Sequence, residues 1–294
     1  MIQTLSSRQW RRYLWVAPLA IVLAFLTIFP LIYSFRMSLY DYYLVRNIMN
    51  FAWFKNYIDA LSDKLFLQSF WVNIRIAVVS LIIEFLVGLG LALACQSVKK
   101  GRGLIVALLT TPILVSTSAT GWAFRLVMMP EYGPMNWIIG FFTGKGWVRI
   151  DWFGSTDYAI WALTIASIWR SMPFVMLILL AGLSAINQEL YEAARIDGAS
   201  SWQLFRRITL PLLSSSIVVA FLLRMIELIK LFDLVYLLTA GGPARSTESV
   251  TFYVYTVGLR FFRVGYGSAL SVYLLLLTIA LTAILLRVTR RREA

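Results

Sequence analysis

Four ionisable residues, Arg224, Glu227, Lys230 and Asp233, recur at every third position with alternating sign inside an otherwise apolar stretch. On a helix each neighbouring pair can meet side by side, although the row drifts around the axis by about 60° per step. A charge held alone at mid-bilayer costs roughly 2.5–3.5 kcal/mol on insertion scales, so residues of this kind pair or face water. Arg224 and Glu227 lie nearest the middle of the stretch and are the first candidates to line a polar pathway; a self-satisfied structural ladder is the competing reading. Lys230 and Asp233 fall nearer one end. Arg75, Glu84, Arg125 and Arg170 are further charges in or near apolar runs, and pairing between helices is their default use. Catalysis is poorly served by comparison. The chain has no histidine, the usual base at neutral pH, and its single cysteine, Cys95, sits in an apolar run, so neither a His/Cys metal site nor an internal disulfide is expected. The nearest approach to a phosphate-binding loop, Gly140 to Gly146, is one residue short and lacks the terminal hydroxyl. No catalytic residue is assigned.

The elements that must position these charges are membrane helices. Of 294 residues, 60% are hydrophobic and only 14% charged, with a mean hydropathy of +0.77, where a soluble domain would be about one quarter charged. The apolar residues fall in blocks of roughly 20, the length a helix needs to cross about 30 Å of hydrocarbon. Six spans are expected, near 14–34, 73–95, 104–128, 159–183, 212–235 and 266–286, in one all-α membrane domain covering 1–294. The first imitates a secretory signal but is too long for one and reads as an uncleaved span. The third is interrupted by Pro112 and by Ser116, Thr117, Ser118 and Thr120, a composition suited to protein or water contact rather than lipid.

Orientation follows from Lys and Arg. One side carries thirteen in short connections (Arg8, Arg11, Arg12, Lys99, Lys100, Arg102, Arg195, Arg206, Arg207, Arg287 and Arg290 to Arg292), and the other carries nine over much longer ones. Positive residues are retained on the cytoplasmic side, so both termini are expected there. The net charge of +13 is thus topology, and no nucleic-acid partner is expected. Trp53, Trp71, Trp137, Trp147 and Trp152 fall on the outer side, where interfacial anchoring is the plain explanation.

The longest cytoplasmic connection, 184–211, begins with good helix formers around Glu192, Ala193 and Ala194. It reaches Gly198, which can end a helix in a left-handed conformation, and continues with Trp202, Phe205, Ile208 and Leu210 at near-helical spacing. Two short helices around a turn would leave apolar surface facing the cytoplasm, and something must cover it.

This segment resembles the EAA loop of ABC-importer permeases, with Glu192, Ala193, Ala194, Asp197, Gly198, Ala199, Phe205, Ile208 and Pro211 in pattern. The likeness continues upstream through Trp169, Pro173, Phe174 and Gly182, and downstream through Asp233, Gly241, Gly242, Pro243, Gly265 and Tyr266, a set similar to the maltose and glycerol-phosphate branch. Asn187 departs from it, standing where members often have proline, and Ser214 to Ser216 replace a later proline. The resemblance implies the importer-permease fold in a prokaryotic plasma membrane. It makes Glu192, Ala193, Ala194, Asp197, Gly198 and Ala199 the contact with a cytoplasmic ATPase. It also implies two ATP-binding subunits that hold ATP and Mg, a second permease that is commonly a different chain, and an extracytoplasmic solute-binding protein; no cofactor is expected on this chain.

The cargo implied is a sugar, disaccharide or polyol, with glycerol phosphates as the alternative. Sugar recognition wants planar polar groups and aromatic faces, which Trp122, Trp169 and Tyr273 can offer, packing being their commoner use. A self-contained secondary transporter would show two matching halves and would leave the loop at 184–211 unexplained. A membrane enzyme would need a cluster of acids or a Ser/His/Cys group that the chain lacks.

Overall fold

The computed structural model describes residues 7–293, with side chains from Val16 to Ile284 and at Arg287. The side chains of Arg8, Arg11, Arg12 and Arg290 to Arg292, on which the orientation argument draws, lie outside the described residues.

The chain divides into two compact units, one comprising the residues up to Asp63 with Val254–Leu276, the other Lys64–Tyr253 with the chain from Leu277 onward. In the first, helix α1 (Ser7–Ser38) leads into a hairpin of β1 (Tyr40–Tyr43) and β2 (Ile48–Phe51), then α2 (Lys55–Ser62). The all-α expectation missed this hairpin. Asn56 of α2 locks it in place, donating to the carbonyls of Ser38 and Tyr40 at 2.8 Å each. Gly265 lies against the Tyr40 carbonyl, where a Cβ would collide with backbone. An 18-residue apolar stretch of α1 has no buried residue, as suits a helix solvated by lipid or a partner, and only Met37 and Ser38 at its end are buried.

The second unit is built around α7 (Thr156–Ser184), against which α3 (Lys64–Ser97), α4 (Arg102–Leu114), α5 (Thr117–Val127), α11 (Ser214–Ile229) and α12 (Asp233–Leu238) pack. Lipid tails are as apolar as leucine, so helices here are held by close packing rather than by escape from water. Small residues make that possible. A Cβ on Gly88 of α3 would stand 3.2 Å from Val175 of α7, and Ala92 and Cys95 continue the same seam onto Met176, Leu179 and Leu183. Gly121 of α5 likewise allows close approach to α12, since a Cβ there would come within 2.7 Å of Leu237.

Four helices are long and apolar enough to span a membrane, and up to six if each of two bent pairs is one span. The residues expected as the interrupted third span fall on the first pair: α4 and α5 meet at 92°, Pro112 lies in the last turn of α4, and Ser116 caps α5 through the Ala119 N–H. The remaining elements are α6 (Pro134–Thr143), α8 (Gln188–Ile196), α9 (Ser201–Leu204), a π-turn at Phe205–Thr209, α10 (Leu210–Leu212), α13 (Val250–Tyr255), a second π-turn at Thr256–Arg260 and α14 (Val264–Glu293). Ser201–Leu212 and α11 form the second bent pair, at 59°.

Two expectations need correction. The span expected at 212–235 stops at Ile229: Lys230 is its C-cap, and Asp233 opens the separate helix α12. The carbonyls freed by that break are satisfied from afar. Leu231 accepts from the hydroxyls of Ser249 and Thr251, and Leu228 from Asn73 Nδ2. Trp152 is no interface anchor either. It is 5% exposed, its Nε1 donating at 2.7 Å to buried Asn136, whereas Trp53, Trp71, Trp137 and Trp147 are exposed.

Candidate functional site

Four charges of the second unit, from α3, α7 and α11, form one bonded network. Arg224 of α11 sends a two-pronged bond to Glu84 of α3, with Nε to Oε2 and Nη2 to Oε1 at 2.7 Å each. Its Nη1 donates to Glu227 Oε2 at 2.6 Å, and Glu227 Oε1 accepts from Arg170 Nη1 of α7 at 3.1 Å. The result is a chain of alternating sign, Glu84, Arg224, Glu227, Arg170, that ties three helices and sums to zero charge. Its side chains are 0%, 2%, 48% and 23% exposed in that order, so the network begins in the core and ends in the open.

The open end borders a cavity of about 210 Å³, lined among others by Thr117, Ser167, Ser171, Lys230 and Asp233. Buried carboxylate and guanidinium groups hold one geometry because every lone pair and N–H they commit is already directed. Arg224 has none of its three nitrogens uncommitted and is 1% exposed, so it acts as a post that aims Glu227, while Glu227 and Arg170 face the cavity. Such a rim offers paired acceptors and donors to a polyhydroxylated solute.

Of the row of four charges, the structure brings together Arg224 and Glu227 as a bonded pair and sets Lys230 and Asp233 on the cavity wall without the helical ladder. Trp169 is 40% exposed, with its ring edge to face with Phe124 at 5.4 Å. Trp122 is 57% exposed with the Arg125 guanidinium 5.7 Å above it. Tyr273 belongs to the other unit, where its hydroxyl donates to the Tyr57 carbonyl at 3.0 Å. Sequence reasoning did not single out Ser167 and Ser171. The signal was present: with Arg170 they place polar groups on one face of a helix that is otherwise apolar.

The connection at 184–211 folds as two helices around a turn. Asn187, the departure from proline, caps α8 by accepting from the Glu189 N–H at 3.1 Å. Gly198 stands at φ +81°, its N–H bonded to the Arg195 carbonyl and that of Ala199 to the Ala194 carbonyl, the paired bonds of a glycine C-cap. Ser200 and Gln203 then cap one another to start α9. None of the residues of α8 is buried, and Ile196 and Trp202 are 87% and 66% exposed. Glu192, Ala193, Asp197 and Gly198 are exposed, and Ala194 and Ala199 half-buried. This is the uncovered apolar surface expected from the sequence. The Tyr191 hydroxyl, 3.0 Å from Thr209 Oγ1, binds the first helix to the π-turn that leads through α10 into α11.

Known proteins resemble this chain over most of its length. Residues 87–294 match the family described as binding-protein-dependent transport system inner membrane component. The chain is 37% identical over 284 residues to the trehalose/maltose transport system permease protein of Thermococcus litoralis, covering 96% of this chain and 94% of that one. It is 34% identical to the sulfoquinovosyl glycerol transport system permease protein of Agrobacterium fabrum, with 95% and 90% covered. Among solved structures, a chain of a bacterial alginate ABC transporter, crystallised with its alginate pentasaccharide-bound periplasmic protein, superposes with a TM-score of 0.81 at 21% identity, over 97% of this chain and 95% of that chain.

Proposed function

The chain belongs to the family of binding-protein-dependent transport system inner membrane components, and from that premise we propose that it is the permease subunit of an ABC importer for a carbohydrate. The observation that carries the proposal is end-to-end similarity to permeases named for trehalose, maltose and sulfoquinovosyl glycerol. The cavity favours an uncharged sugar or polyol over a glycerol phosphate. Of the cations on its wall, Arg224 is neutralised from behind by buried Glu84, and Arg170 and Lys230 are balanced in number by Glu227 and Asp233 of the lining, leaving no surplus positive charge for a phosphate.

In this reading residues 1–294 form one permease domain of six spans, each bent pair counting as one, with both termini in the cytoplasm of a prokaryote. The pathway runs between this subunit and a second permease, a different chain. Glu227 and Arg170 border this chain's side of it, with Trp122 and Trp169 as candidate ring-stacking faces; Tyr273 contributes packing. Two ATPase subunits bind ATP and Mg and do the only catalysis, and an extracytoplasmic protein delivers the solute.

Coupling follows from the connectivity. Glu192, Ala193, Ala194, Asp197, Gly198 and Ala199 seat α8 and its turn on the ATPase. Movement there passes through α9, the π-turn and α10 into α11, which carries Arg224 and Glu227 some 15–20 Å further along at 1.5 Å per residue. A rigid lever from the nucleotide site to the cavity needs no chemistry on this chain.

The test is uptake into proteoliposomes holding the complete complex and its binding protein, over a panel of sugars, polyols and glycerol phosphates. Uptake of one carbohydrate that needs internal ATP and persists when ion gradients are collapsed is the expected result. Uptake driven by an ion gradient without ATP would replace this reading with a secondary transporter.

A further inference from the structure

A second cavity, of about 780 Å³, lies where the end of α3, the start of α4, the end of α7 and the inner face of α8 meet. Three cations from three segments line it, Lys99, Arg102 and Arg195, and no Asp or Glu is among its lining residues. Gln96, Gln188 and Tyr191 add polar groups. Gln188, Tyr191 and Arg195 share one face of α8, turned away from the exposed Ile196, so the cavity does not use the surface assigned to the ATPase. Arg102 is held in place by Gln96 Oε1 at 3.1 Å and Ser184 Oγ at 3.0 Å, neither of them charged. Among the described residues no ion pair involves Lys99, Arg102 or Arg195. Three cations converging on a concave site without a counter-charge repel one another, and an anion relieves the repulsion.

We propose that this cavity binds a phosphate group, that of an acidic phospholipid headgroup of the adjoining leaflet or of free phosphate. The neighbouring surface favours the lipid. Helix α4 begins at Arg102 and buries no residue, and Leu104 and Leu108 are 68% and 66% exposed directly beyond the basic cluster. An amphiphile can therefore place its head in the cavity and its chains along α4. Basic pockets between spans on the cytoplasmic side hold acidic headgroups by this same combination of charge and apolar contact. The leaflet concerned is the inner one if the orientation proposed above holds. The binding chemistry itself does not depend on it.

The experiment uses the complete complex with Lys99→Gln/Arg102→Gln, with Lys99→Gln alone, and with Arg206→Gln/Arg207→Gln, which removes two exposed cations outside the cavity. Retained phosphatidylglycerol is counted by native mass spectrometry after exchange into defined mixtures of phosphatidylglycerol and phosphatidylcholine. Inorganic phosphate is titrated separately in phosphatidylcholine nanodiscs. The expected result is a roughly 30-fold weaker retention in the cavity double variant and a roughly 5-fold loss in the single one, with the Arg206/Arg207 variant like wild type. Lys99→Gln breaks no side-chain hydrogen bond among the described residues, so it decides the matter if the double variant fails to assemble. Phosphate binding in neutral nanodiscs that is lost in the same variants, with lipid retention unaffected, assigns the site to free phosphate. Equal losses in cavity and control variants, or no loss in any, overturn the proposal. Retention is read without transport and without reference to sidedness, so the carbohydrate-import reading and the orientation stand or fall separately.

Discussion

Removing one member of the Glu84–Arg224 pair should be far worse than removing both. Both side chains are essentially inaccessible, and Glu84 has Arg224 as its only hydrogen-bonded partner among the described residues. Arg224→Met strands a carboxylate in the helix core; Glu84→Leu strands two guanidinium nitrogens, leaving only Nη1 on Glu227. Breaking a buried pair from one side costs about 3–5 kcal/mol, whereas replacing both partners with apolar residues of similar volume is often neutral. The double variant should therefore recover most of the loss, giving a coupling energy of about 3 kcal/mol in a double-mutant cycle. The single cysteine supplies the assay. Cys95 is 2% exposed in the α3–α7 seam, so a thiol-reactive dye reports the opening of the packed interface as temperature or denaturant rises. Additive losses, with the double variant the least stable of the three, would refute the claim that the pair is a closed electrostatic unit.

Further outcomes follow from single contacts. Gly198→Val should leave the protein inserted but lower solute-stimulated ATPase activity, because a left-handed residue with a Cβ costs about 1–2 kcal/mol. Gly198→Asn should retain more activity, and since open space surrounds the position, equal loss in both variants would mean that something other than backbone conformation is at fault. Gly121→Val forces α5 off Leu237 and should lower stability by about 1–3 kcal/mol in the same thiol assay, while Gly90→Val, with nothing nearby, should not. Ser249→Ala with Thr251→Val removes both hydroxyls from the Leu231 carbonyl and should cost about 1–3 kcal/mol; an unchanged midpoint would show that the break after Ile229 has other support.

What could be read from the sequence was what one segment decides alone. Apolar runs gave the four long helices α1, α3, α7 and α14, and Pro112 with Ser116 gave the break between α4 and α5, because proline and a capping serine act within a turn of themselves. Gly198 was legible for the same reason. The end of α11 was not, since Ile229 to Phe232 look as helical as what precedes them, and the hydroxyls that make a break tolerable come from residues 249 and 251. The buried partner of Arg224, Glu84, was equally hidden, being 140 positions away, whereas Glu227 at three positions was legible. Trp152 looked like its exposed counterparts until Asn136 was seen to hold its ring nitrogen. The hairpin at 40–51 was missed because strands of four residues, Tyr40–Tyr43 and Ile48–Phe51, give too little alternation to stand out from a loop.

The most direct test of the central claim is ATPase activity of the reconstituted complex with its binding protein, measured across sugars, polyols and glycerol phosphates for wild type, Glu227→Gln and Gly198→Val. The account predicts stimulation by one carbohydrate, a shifted ligand preference or concentration dependence in Glu227→Gln, and stimulation lowered at all concentrations in Gly198→Val. Stimulation by no carbohydrate, or stimulation that both variants leave untouched, would contradict it.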